Sequence, residues 1–504
     1  MADVFSLGTY SDDAYASSNG PSKDTGDLRR KYNFGDRVSE LNIAQDPFFR
    51  FVSKVAKKPT DDPEFKFTER RGSYHKRYSY ITAHGADINV STTGDATVAA
   101  GALDQGDTYY FKMGTDYESA GNIGNVSGQS SGAISVGAAN TAPQFFLENQ
   151  IIKINTRAEN EGSAFTVPTG YILAKVKGEP TAVSTTHQIL KCEIVKGEAA
   201  AKDLMWASAS AAVAATYNLT IATDLEPKRC YVVGSAHGQG TGYPSTWKDQ
   251  PFSTGFGLTQ IWKTAMAMDN TTRATVLKYD SNEFARIWRE KLIEHKFDIE
   301  QSLLFGAQGT VDSVQYTEGA VDFITSYGNI FTGTGMGGTG SKAQDDFLDD
   351  MSQFLDPRYN NANATLFMVS TDVYNWLHKL SGYFTANMQK TDLGSSNRFA
   401  GRSDFSIGGK KNVFGVDITQ IYTPYGVMNV SRNIHLDGTQ VKMLAVNMKY
   451  CAYRPLVGNG LNRDTAVYVG VQTLENSGVD RRVDLIQTEA GMEWQMPEAH
   501  AVWK

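Results

Sequence analysis

The segment 280–306 constrains this chain more than any other. Phe284, Ile287, Trp288, Leu292, His295, Ile299 and Leu303 recur at the spacing of one helix face, and Gly306 ends the run. Asp280 and Glu283 stand at the spacing of a capping box. The pattern predicts a rod roughly 37 Å long. Arg286, Arg289, Glu290, Lys296 and Asp298 fill the opposite face, which is charged and solvated.

Beyond this helix, a glycine run at 332–340 leads into a second one, with Phe347, Leu348, Met351, Phe354 and Leu355 on a shared face. The apolar TLFMVS reads as a buried strand. A capped helix from Ser370 to Leu380 follows, with Val373, Trp376 and Leu377 inward. After 451 the sequence returns to alternation, in AVYVGVQTLENSG and VDRRVDLIQTEAGMEWQM, which reads as strands completing an earlier sheet. Strand, helix and strand in this order predict a mixed α/β domain, within a chain whose class overall is α+β.

Before the long helix the texture is different. Residues 1–45 are polar, include Arg29 and Arg30, and cannot close a core, so they read as an arm. From Asp46 a short apolar turn gives way to Phe65, Phe67, Tyr74, Tyr78 and Tyr80 alternating with charges. This predicts a long half-exposed hairpin, with Arg70, Arg71, Lys76 and Arg77 near its tip. So many charges cannot be buried within one subunit without partners, so the tip is expected to lie on another surface. Residues 86–225 are poor in Trp and Arg and rich in Gly, Ala, Ser and Thr; pieces such as QIIKINT, YILAKV and QILKCEIV predict a β-rich insertion.

A formal charge of −7 argues against a chain whose main task is neutralising phosphate. Cys192, Cys230 and Cys451 are far apart and odd in number, which predicts free thiols and a reducing compartment. The first residues lack the basic and apolar run of a signal peptide, and no window approaches the roughly 18 apolar residues of a membrane span. The expectation is a soluble protein first kept in the cytoplasm.

Catalytic patterns have little hold. The glycines at 333, 335, 337, 338 and 340 precede Ser341-Lys342 without the order of a phosphate loop. GQSSG, with Ser130, lacks the strand and helix that a nucleophile elbow needs. The eight histidines occur singly, and His295 on its apolar stripe reads as a packed core residue. No catalytic, metal or cofactor residue is assigned and no cofactor is expected.

Three segments resemble landmarks of the major capsid, or major head, proteins of tailed bacteriophages: DPFFRFVSKVAKKPTDDPEFKFTERR, Asp46 to Arg71; GLTQIWKTAMAMDNTTRA at 257–274 with the helix ending EHKFDIEQSLLFG; and the closing TEAGMEWQMPEAHAVWK. Ala501 stands where that family commonly has glycine, and 86–225 is far longer than a plain extended loop. The resemblance implies the Hong Kong 97 capsid fold: an N-terminal arm at 1–45; an extended loop with peripheral-domain strands at 46–85 and 226–256; the β-rich insertion at 86–225; a peripheral domain at 257–329 with the spine helix 280–306; an axial domain at 330–450; and peripheral strands at 451–504. The spine-helix core would be Phe284, Ile287, Trp288, Leu292, Ile299 and Leu303. Arg29, Arg30, Arg70, Arg71, Lys76 and Arg77 would meet neighbouring subunits. The implied function is self-assembly into hexamers and pentamers of an icosahedral head enclosing DNA, built in the host bacterial cytoplasm. Implied partners are further copies of the chain, portal, scaffold and decoration proteins, and packaged DNA only non-specifically, with no membrane. An encapsulin-like nanocompartment shell and a phage fibre or tailspike protein are the alternatives.

Overall fold

The computed structural model describes residues 46–70, 77–88, 102–115, 142–143, 145–156, 170–182, 187–197, 199–200, 204, 228–244, 252–276, 283–337, 342, 344–355, 365–380 and 406–504. The first element is helix α1 (Pro47–Val55), with proline in its first turn and Phe48, Phe51 and Val52 buried on one side. Strand β1 (Glu64–Glu69) follows. Its partner comes from far along the sequence, in register from Glu64↔Leu258 to Glu69↔Ser253. Two glycines make this ribbon possible: a Cβ at Gly255 or Gly257 would lie 2.5 Å from the ring of Phe67 or Phe65.

The expected hairpin joining Phe65 and Phe67 to Tyr78 and Tyr80 does not form. Strand β2 (Tyr78–Gly85) belongs to another unit with β3 (Thr108–Gly114), β4 (Gln150–Thr156), β5 (Gly170–Val176), β6 (His187–Lys196) and β7 (Arg229–Ser235). Alternation identified the strands but could not specify their partners. The order is β3-β2-β7-β4-β5-β6, every pairing is antiparallel, and β6 pairs back onto β3. Among the described residues these six strands therefore close into a barrel, with a short seventh strand, Thr181–Ala182, also paired with β6. Ile81, Phe111, Ile154, Ile172, Leu190 and Cys192 fill its core. It reaches beyond the expected 86–225 at both ends, because β2 and β7 supply staves.

Strand β8 (Ser253–Leu258) closes the ribbon with β1, and β9 (Gln260–Asp269) continues into the body. Helix α2 (Glu283–Phe305) is the predicted long helix; residues 280–282, with the Asp280 cap, lie outside the described ones. After it come α3 (Ala320–Tyr327), β10 (Asn329–Phe331), α4 (Gln344–Phe354), β11 (Thr365–Val369), α5 (Thr371–Leu380), β12 (Ser406–Val413), β13 (Val416–Thr423), β14 (Gly426–Arg432), β15 (Met443–Asn447), β16 (Cys451–Pro455), β17 (Ala466–Gln472), β18 (Arg481–Trp494) and β19 (Ala501–Trp503).

Two sheets organise these elements. β9, β16 and β17 all pair with the long β18, and α2 packs on this sheet through Trp262, whose Nε1 donates to Ser302 Oγ at 3.0 Å. The other sheet runs β10-β19-β15-β11-β14-β13-β12. Its central strands are buried on both faces. Leu366 and Met368 of β11 join the core containing α1, α2 and α3, while Phe367 and Val369 join the core containing α4 and α5. β19 departs from the expectation that everything after 451 returns to the sheet of the long helix. It lies between β10 and β15, in the other sheet, with Trp503 stacked on Phe331 at 4.7 Å.

Candidate assembly surfaces

The long helix is packed unevenly. His295, Ile299, Glu300, Leu303 and Leu304 are buried, whereas Phe284, Ile287, Trp288 and Leu292 are only half-buried. Four of the six residues expected to form its core thus stay partly open in the single chain. The N-terminal half extends towards the Arg481 end of β18, where the guanidinium groups of Arg482 and Arg273 lie over the Phe284 ring at 4.8 and 5.5 Å.

His295 does pack in the core, between two threonines. Its Nε2 lies 2.8 Å from Thr488 Oγ1, and its Nδ1 2.9 Å from Thr264 Oγ1. Because the Thr488 hydroxyl donates to Thr465, Thr488 accepts from Nε2, and Nδ1 accepts from Thr264. Burial lowers the pKa of this histidine.

Glu300 is a site that periodicity passed over. On the apolar face of α2, fully buried, it accepts from the backbone N–H of Phe48 at 3.1 Å and of Phe49 at 2.6 Å, and from Asn433 Nδ2 at 2.9 Å. These are first-turn amides of α1, so the carboxyl caps that helix from another element. Burial pushes its pKa up to about 7, the three donors pull it down, and Asp46 pushes it up again. One side chain therefore joins α1, α2 and the turn after β14. The available signal was a glutamate inside the Ile299/Leu303 stripe.

The C-terminal motif is a second junction. The Asn447 N–H donates to His500 Nδ1 at 3.2 Å, which leaves the ring proton on Nε2 to donate to the Gln495 carbonyl at 3.1 Å. Burial holds this ring near a pKa of about 4. Trp494 and Phe323 meet it edge-on, and Trp494 Nε1 donates to the Glu318 carbonyl. Ala501 is fully buried in β19.

Among the expected contact residues, Arg70 ends the β1 ribbon with its guanidinium 5.7 Å from the Phe252 ring. Arg77 precedes the barrel strand β2, so the two do not share a hairpin tip. Arg29, Arg30, Arg71 and Lys76 lie outside the described residues, as does Ser130. Within the glycine run, Gly333 N–H donates to the Lys504 carbonyl, and Gly337 adopts φ +79 against Asp372. Cys192, Cys230 and Cys451 are free and buried. No group of three or more His, Cys, Asp or Glu side chains among the described residues could hold a metal ion.

A further apolar surface was not anticipated. Val467, Tyr468, Val469 and Val471 of β17, with Leu474 and Val479 in the connection to β18, are all exposed, Val469 at 65%. The strand bulges between Tyr468 and Gln472, with Gly470 at φ +68 inside the bulge. The result is a blunt apolar ridge on the edge of the sheet.

The single chain thus combines a half-open helix face and an exposed apolar ridge with two cross-tied junctions. The family model of the SU10 major capsid protein matches residues 25–504, and the chain belongs to that family. It is a phage major capsid protein, a structural component of the virion that assembles into multi-subunit shells. No curated protein matches the chain. Similar solved structures include one from Microbacterium phage Oxtober96 (13% identity, 54% of this chain and 80% of that one, TM-score 0.35). Others are the capsid structure of the cyanophage P-SCSP1u (9%, 53% and 79%, TM-score 0.32) and the capsid of a native GTA particle (10%, 53% and 80%, TM-score 0.33).

Proposed function

We propose that this capsid subunit works in the Hong Kong 97 manner, forming hexamers and pentamers of an icosahedral head around the DNA genome. In this reading α2 is the spine helix of a peripheral domain, and the sheet from β10 to β12 is the heart of an axial domain. The arm at 1–45 and the β1·β8 ribbon reach neighbouring subunits, with Arg29, Arg30, Arg70, Arg71, Lys76 and Arg77 as contact residues. The barrel projects from the outer surface and braces adjacent capsomers. Portal, scaffold and decoration proteins are the expected further partners, and assembly takes place in the host cytoplasm.

The observation that carries this reading is the ridge of Val467, Tyr468, Val469, Val471 and Leu474, exposed in the single chain. Removing such an apolar surface from water stabilises a contact by about 25 cal/mol per Å² before the costs of association. Many modest contacts of this kind add cooperatively in a closed shell. The test is Val469→Asp with Val471→Asp: the monomer keeps its thermal unfolding midpoint while negative-stain images lose closed particles. Normal shells from this double variant would remove the ridge from the account.

A further inference from the structure

Beside the Glu300 junction, α1 and the sheet enclose an open cleft of about 320 Å³. It is lined by Asp46, which precedes α1, and Arg50 of α1, by Lys410, Asp417 and Arg432 of β12 to β14, and by Tyr374 of α5. The walls are held in place. Arg50 Nε pairs with Asp46, and a Cβ at Gly415 would come within 3.0 Å of Arg50 Nη1, so the β12–β13 turn leans on this guanidinium. The Tyr374 hydroxyl bonds Thr419 Oγ1 at 2.9 Å. Arg432 directly precedes Asn433, which donates to Glu300.

Among the described residues that line the cleft, three cations, Arg50, Lys410 and Arg432, outnumber two carboxylates, Asp46 and Asp417. Asp46 is engaged by Arg50, and Asp417 accepts from Asn412 Nδ2 at 2.8 Å. Among the described residues, no carboxylate lies within ion-pair distance of Lys410 or Arg432. Two exposed cations, Lys410 and Arg432, thus line a concave site beside Asp417, with a net excess of one positive charge, in a chain whose formal charge is −7.

We propose that this cleft receives an acidic segment of a second copy of the chain, one or two carboxylates entering between Lys410 and Arg432. The inference deepens the assembly reading and rests on it. Shape and charge favour a peptide over nucleic acid. A duplex presents a charge about every 1.7 Å on a convex surface, and would bring phosphates against Asp46 and Asp417 as well. A carboxylate on a flexible segment can reach the cations and avoid both acids. A planar guanidinium suits such a group bidentately. An ion pair this exposed is weak alone, but it selects register and partner, and repetition around a shell multiplies it.

The experiment mixes unlabelled and ¹⁵N-labelled chains before assembly and treats the particles with a zero-length carbodiimide, which couples an amine to a carboxylate already in contact. Mass spectrometry is expected to find Lys410 joined to an aspartate or glutamate of a differently labelled copy, in particles and not in dissociated subunits. In parallel, Lys410→Glu with Arg432→Glu should leave the monomer's unfolding midpoint unchanged and raise the concentration needed for assembly about tenfold. Lys410→Arg alone, which keeps the charge, should assemble at the unmodified concentration. Coupling only within one copy, or assembly of the reversal variant at the unmodified concentration, overturns the proposal. So does a variant that assembles normally but loses DNA retention, since the occupant would then be nucleic acid. If the unmodified chain forms no particles, the assembly reading fails with it; failure of the variant test alone leaves that reading standing.

Discussion

Glu300 and Phe49 are 251 positions apart in sequence, yet the carboxyl of one lies 2.6 Å from the backbone nitrogen of the other. This contact fixes α1, the element leading out of residues 1–45, onto the long helix. Replacing Glu300 with Ala leaves the buried Phe48 amide, the part-buried Phe49 amide and Asn433 Nδ2 without this acceptor. The expected cost is about 2–4 kcal/mol, read as a fall in the thermal midpoint.

The same residue predicts a pH dependence. Its folded pKa, about 7, lies above the ordinary 4.5, so the folded chain binds the proton more tightly than the unfolded one. The stabilisation is complete below 4.5 and is lost as pH rises through about 7. Denaturation midpoints should therefore rise from pH 7.5 to 5 in the native chain and stay flatter in Glu300→Gln. An unchanged slope in the variant would assign the effect to another group.

His500 works in the opposite sense. Its folded pKa of about 4 lies below the ordinary 6.5, so its contribution is present above 6.5 and lost as pH falls through about 4. His500→Gln should be less stable than the native chain at pH 7 and lose less on acidification to pH 4. Equal acid sensitivity in both proteins would count against a neutral buried ring.

The long helix separates folding from assembly. Ile299 is buried and Ile287 half-buried, so Ile299→Asp should cost several kcal/mol and yield insoluble chain. Ile287→Asp should give soluble, folded monomer that assembles poorly. Sequence periodicity made this helix legible because apolar residues repeat along its whole length. It could not show that the first half is only half-buried while the second is buried, nor that Glu300 faces inward, because a glutamate on a helix ordinarily faces water. The barrel was legible as strands and not as a ring: alternation in Ile152 and Ile154, or in Ile172 and Ala174, says which residues face inward and nothing about which strand lies alongside. Arg70 and Arg77 looked adjacent on a hairpin for the same reason.

Closure of the barrel predicts autonomy. A polypeptide spanning 77–236 should unfold cooperatively on its own, since its core draws on its own strands. The thiols report on the two units separately: Cys192 and Cys230 lie in the barrel and Cys451 in the body, all buried, with burial raising their pKa. A thiol reagent should meet none of them in the native chain, and all three only on unfolding.

Assembly of the proposed kind requires that exposed surfaces of one folded subunit be covered by copies of itself. Electron microscopy of the purified chain at rising concentration, beside the Val469→Asp, Val471→Asp double variant, tests it most directly. Closed particles built of hexameric and pentameric clusters from the native chain, and only monomers or small clusters from the variant, are the predicted result. Native chain that stays monomeric at every concentration, or a variant that closes into the same particles, would contradict it.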